Sequence, residues 1–185
     1  MKTAKIISAV IFILVLAVSC APAAEPPGSV QSNSASLPVS DEALETPAGE
    51  PLVLEGGTSW RVIRPEVCSE TVLAAAASLD AHLFNRLEVH LTNKNDLAAP
   101  SEKEILVGLT NRPESAQVYE TLKNKEYAVC LVNGKIVVIG FDDEGTKAAA
   151  KWFNETFVDR AARPEEGQKA NLFVDLSVEK RQTYR

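Results

Sequence analysis

The chain is poor in sulfur, in histidine and in positive charge, and it lacks any apolar run long enough to cross a bilayer. Its 185 residues include three cysteines, two histidines and one methionine. Beyond the first twenty residues only Cys68 and Cys130 remain, too few for a disulfide framework. Either one bridge or two thiols fits that pair, and two buried thiols are the expectation. His82 and His90 lack the tight ligand spacing of a zinc site, so no metal is predicted. No phosphate-binding GxxxxGK[ST] loop, GxSxG elbow, CxxC or HExxH is present, which leaves no cofactor and no catalytic residue to nominate. Basic residues number 19 against 25 acidic, and two of the 19, Lys2 and Lys5, lie in the leader. Nucleic acid is therefore excluded as a partner, because phosphate binding needs clustered Lys and Arg.

The leader is what stands out among the residues that are there. Lys2 and Lys5 precede an apolar core, Ile6–Val18, broken only by Ser8, and Ser19-Cys20 comes next. A membrane span takes roughly 20 apolar residues, so this core reads as an export signal. Ala17-Val18-Ser19-Cys20 resembles the bacterial lipobox, with Leu16 one place earlier than usual. That resemblance implies lipidation of Cys20 and an extracytoplasmic protein held to the cell membrane by lipid. An ordinary secretory signal is the alternative. Residues 21–51 are rich in Pro, Ala, Ser and Glu, without aromatics or apolar periodicity, and read as a disordered tether. As a flexible coil it would span roughly 30 Å.

Residues 52–176 carry the pattern of one α/β domain, and 177–185 read as a polar tail. Trp60–Ile63 is a short β-type run. Ser69 is placed to cap a helix through about Phe84 that sets Val72, Ala76, Leu79 and Leu83 on one face. Leu87–Leu91 alternates like a half-buried strand, and Ile105–Leu109 reads as a strand covered on both faces. Pro113 opens a short helix with Val118, Tyr119 and Leu122. Tyr127–Val132, Asn133-Gly134 and Lys135–Ile139 spell a hairpin with a type I′ turn. Asp142 or Asp143 caps a last helix that buries Ala148, Ala149, Trp152, Phe153 and Phe157. Asn171–Leu176 closes as an edge strand. The order β-α-β-β-α-β-β-α-β gives an α/β sandwich, a mixed sheet with helices packed on it. Its expected core is Leu79, Leu83, Leu106, Val107, Val129, Leu131, Val137, Ile139, Trp152 and Phe153.

Candidate ligand-binding residues are few. Thr110, Asn111 and Arg112 lie between an apolar strand and a helix, where open α/β sheets often bind ligands; there Arg112 could clamp an anion. Close packing at Gly108 and a Pro-led helix start explain the same residues without a ligand. Tyr119 is the aromatic best placed for a surface ring. Asp142, Asp143 and Glu144 read as helix caps, and the sequon at Asn154 as incidental.

Three phrases carry a family resemblance: Glu104–Ser115, Asn133–Gly140 and Asp142–Phe153. In order and spacing they resemble the non-catalytic α/β domain that precedes the barrel in family-20 beta-hexosaminidases and family-67 alpha-glucuronidases. In those enzymes the catalytic acids sit on the barrel, and the residues after Val158 fall far short of the ~250 that a barrel takes. The resemblance thus transfers no catalytic residue. It implies a membrane-tethered, non-catalytic binding or scaffolding module in a carbohydrate-related setting, with a glycan or a cell-envelope protein as partner. An accessory domain separated from a hydrolase barrel, and a small enzyme with an unrecognised site, are the alternatives.

Overall fold

The computed structural model describes residues 50–53, 58–176 and 179–185. The expected leader, Cys20 and nearly all of the tether lie outside them. Strand β1, Glu50–Val53, begins two residues inside the segment expected as tether and pairs antiparallel with β7, Leu172–Val174, in a sheet of two strands. The principal sheet has six strands. In chain order these are β2 (Arg61–Arg64), β3 (Thr92–Asn95), β4 (Glu104–Val107), β5 (Glu126–Val132), β6 (Lys135–Gly140) and β8 (Lys180–Thr183). They lie side by side as β3-β2-β4-β6-β5-β8. β3, β2, β4 and β6 are mutually parallel, whereas β5 runs antiparallel to both β6 and β8.

The mixed α/β sheet is as expected, with helices on both faces. Helices α1 (Glu70–Leu87) and α3 (Asp143–Phe153) cover one face, where Leu79, Leu83 and Phe153 meet Val62, Ile105, Val107, Val129 and Val138. The short helix α2, Pro113–Tyr119, lies on the other with Ile63, Leu106, Cys130, Val137 and Ile139. Strand alternation divides the two sets, since neighbouring residues of a strand face opposite ways. Ser69 Oγ accepts from the Val72 amide at 3.3 Å and caps α1, and Asp142 Oδ1 accepts from the Gly145 amide at 2.9 Å and caps α3.

Four expectations need correction. Leu87–Leu91 is not a strand: α1 continues to Leu87, whose side chain is buried, and ends at Glu88 with φ 59°. The strand comes later, at Thr92–Asn95, as a polar edge next to β2, so His90 sits in the loop before it. Asn171–Leu176 does not reach the principal sheet, because its strand pairs with β1. The edge beside β5 is taken by Lys180–Thr183, from the supposed polar tail. Exposed charge on both edge strands discourages pairing with another chain. Finally, Leu131, two residues before the Asn133-Gly134 turn at the hairpin tip, is 40% exposed, and Trp152 is only half-buried.

The hairpin is as predicted, with Val132 opposite Lys135 and Asn133-Gly134 at φ 50° and 78°. A left-handed conformation costs an L-residue about 1–2 kcal/mol. No heavy atom lies within 4 Å of where a Gly134 Cβ would stand, so Gly134→Ala should cost that backbone term alone. Urea denaturation should record it as a lower midpoint with an unchanged slope.

Candidate functional site

The residues singled out after β4 serve the chain itself. From β4 the backbone returns across the α2 face, as does the short link from β3 to β4. That link is a parallel crossover without a helix, so its carbonyls need partners from elsewhere. Two guanidiniums supply them. Arg112 donates to Asp96 O at 2.9 Å and Ala98 O at 2.6 Å, and Arg61 donates to Ala99 O. Both also bind Glu104, Arg61 at 2.7 Å and Arg112 Nε at 3.1 Å, and Lys135 Nζ stands 3.3 Å from it and from Glu114. Glu104 is 0% exposed. Burial pushes its carboxyl up, but hydrogen bonds from Arg112, Arg61 and the Ser101 amide outweigh burial and hold it down at about 2. The anion that Arg112 clamps is therefore this chain's own Glu104.

Thr110 and Ser115 are buried and bonded to each other at 2.8 Å, and the Asn111 amide donates to Asp96 at 2.7 Å. Tyr119 is half-buried, stacked on Phe141 with centroids 6.3 Å apart. Thr110, Asn111 and Arg112 are thus brought together as one polar tie, while Tyr119 stands apart at the far end of α2.

A different set of groups lines an open groove of about 600 Å³ between α1 and α3. Small side chains on α1, Ala74 and Ala75, leave the space. Ser78 and His82 continue the same stripe, one helical turn apart. Lys147 and Lys151 of α3 stand opposite, each near an acid of its own helix: Glu144 at 3.0 Å and Glu155 at 3.6 Å. Beyond Phe153 the helix widens into a single π turn, Asn154–Val158, in which the Asp159 amide donates to Asn154 O at 2.9 Å. In an α-helix, residues five apart point about 140° from each other; in the wider turn they come nearly into line. Asn154 and Asp159 therefore both line the groove.

Asp159 Oδ1 meets His82 Nδ1 at 2.9 Å. With a carboxylate there, Nδ1 carries the hydrogen and Nε2 of the neutral ring is an acceptor. Asn154 is 1% exposed, with Nδ2 donating to Ser78 Oγ at 3.3 Å and Oδ1 lacking a partner. That burial also removes its sequon from the surface. Ser78 donates to Ala75 O at 2.7 Å, so its proton is committed to the helix backbone and not to His82.

The remaining candidates have structural partners. His90 bonds Asp80 at 3.1 Å and stacks on Phe84. Asp142 caps α3 and accepts from the Tyr184 hydroxyl, which lifts that phenol to about 12. Cys68 and Cys130 are free thiols, and burial pushes Cys130 up to about 11, leaving it unreactive at neutral pH. Among the described residues no three acid, histidine or cysteine side chains cluster as a metal site, and no helix is long and apolar enough to cross a membrane.

No family model matches the chain, and no curated protein matches it. Among solved structures it is similar to a family GH115 4-O-methyl-alpha-glucuronidase with specificity for decorated arabinogalactans, at 17% identity and a TM-score of 0.46. The match covers 69% of this chain and 18% of that one, so this chain spans under a fifth of that enzyme's length. At that score the likeness carries no argument about function.

Proposed function

We propose that this chain is a non-catalytic binding or scaffolding module, carbohydrate-related and tethered by lipid at Cys20 to the extracytoplasmic face of the cell membrane. The observation that carries the non-catalytic part is the arrangement in the groove. His82 is bonded to Asp159 and Asn154 Nδ2 to Ser78, and the one hydroxyl near the histidine, Ser78, gives its proton to a backbone carbonyl. A hydrolytic site needs a nucleophile or water aligned with a base. The tether rests on the Lys-led apolar leader ending in Ser19-Cys20, and the carbohydrate setting on the three phrases shared with accessory domains. An acidic chain favours a neutral glycan or a protein surface over an anionic ligand.

Mass spectrometry of the protein from membranes of its exporting host should find a diacylglyceryl group on an N-terminal Cys20. Cys20→Ala should move the protein out of the membrane fraction. An unmodified terminus at Ala21 or beyond would refute the tether. The full-length chain should not turn over aryl glycosides, and hydrolysis lost on changing a single carboxylate would promote the enzyme reading.

A further inference from the structure

We propose that the groove between α1 and α3 is the ligand site of this module, and that it takes a neutral, hydroxyl-rich ligand, a sugar ring of a glycan, recognised through the Asn154 carboxamide. The inference rests on the binding-module reading above and adds the place and the chemistry. Three observations carry it. Asn154, which lines the groove, is only 1% exposed and its carboxamide retains an unpartnered acceptor. Turning the amide over would set its oxygen against Ser78 Oγ, whose proton goes to Ala75 O, and leave its nitrogen unpartnered as well, so at least one polar atom is orphaned in either orientation. Buried polar atoms without partners are rare in native proteins and costly.

The second observation is the π turn, a local departure from helical regularity that sets Asn154 and Asp159 on the same wall. The third is the balance of groups. Asn154 Oδ1 and His82 Nε2 accept, the lysines donate, and each lysine has an acid within 4 Å that cancels its charge. With Glu70 and Asp159 also on its lining the groove carries more acid than base, which disfavours an anion, and its mixed acceptors and donors suit hydroxyls, which serve as both. A cavity of about 600 Å³ lies within the usual size of small-ligand sites. The Tyr119–Phe141 pair, two stacked rings with centroids 6.3 Å apart, is the rival surface.

The test titrates the isotope-labelled full-length chain with cellobiose, maltose and N,N′-diacetylchitobiose, monitored by amide NMR. At least one sugar should shift the resonances of Ser78, His82, Asn154 and Asp159 first. Asn154→Leu, similar in volume and without the orphaned atom, should weaken that binding about tenfold while leaving the melting temperature equal or higher. Shifts centred on Tyr119 and Phe141, or a leucine variant that binds like the parent, would overturn the groove and leave the module reading standing. No binding of any of the three up to about 10 mM would overturn the carbohydrate reading and the groove together. A leucine variant that melts lower would mean that the carboxamide serves packing alone, which also overturns the proposal.

Discussion

Replacing Glu104 by alanine is expected to cost about 3–5 kcal/mol, the usual penalty for removing one partner of a buried ionic cluster. Three cations face that carboxylate: Arg61 at 2.7 Å, Arg112 at 3.1 Å and Lys135 at 3.3 Å. Without it Lys135 keeps Glu114, but Arg61 and Arg112 retain only neutral carbonyl and amide acceptors. Their repulsion would loosen the β3–β4 link that they hold. The same carboxyl makes stability pH-dependent. Its folded value of about 2 lies below the 4.5 of the free group, so its contribution is complete above about 4.5 and fades as pH falls towards 2. The shift is worth about 3 kcal/mol. Urea denaturation at pH 6 and pH 2.5 should show the wild type losing about 2–3 kcal/mol more than Glu104→Gln across that interval. Parallel losses in the two proteins would refute this role for Glu104.

Arg112 illustrates how far sequence reasoning reached. An arginine between an apolar strand and a Pro-led helix reads as a candidate clamp on a bound anion or as part of a packed helix start, and in the structure it pairs with an internal carboxylate. Its partner was not legible, because Glu104 opens a strand whose pattern suggests burial and a charge there contradicts the apolar reading. The hairpin, the helix caps at Ser69 and Asp142 and the apolar face of α1 were legible because a few adjacent residues determine each. β8 was not: Lys180-Arg181-Gln182-Thr183 has no apolar side chain, and an edge strand is held through its backbone hydrogen bonds, which any residue but proline can make. β3 failed for a related reason, since the alternation in Leu87–Leu91 reflects one buried helical leucine and one buried loop leucine. The groove was hidden most completely. His82 and Asp159 meet across distant segments of chain, and no composition signal marks a π turn.

Gly140→Ala should unseat α3 from the sheet. A Cβ built at Gly140 would stand 2.1 Å from Gly145 C and 2.2 Å from Thr146 N. Those are backbone atoms of the first turn of α3, so rotamer changes cannot relieve the clash. The helix and β6 must separate, and the bond from the Gly140 amide to Thr146 Oγ1 at 3.1 Å would lengthen. Overpacking in a well-packed core costs about 1–3 kcal/mol. With backbone on both sides of the contact, the expectation is about 3 kcal/mol or more, read as a lower urea midpoint and a lower melting temperature. Gly145→Ala is the matched control. Its Cβ would meet Gly140 Cα and the ring of Tyr184 at 3.0 Å and Asp142 Oδ1 at 3.3 Å; the side chains can swing away and the β6 backbone need give only by a few tenths of an ångström, against which alanine gains up to about 1 kcal/mol over glycine within a helix. Gly145→Ala should therefore lie within about 1 kcal/mol of the wild type. If the two variants proved equally stable, the close approach of β6 and α3 would not be what the glycine at 140 serves.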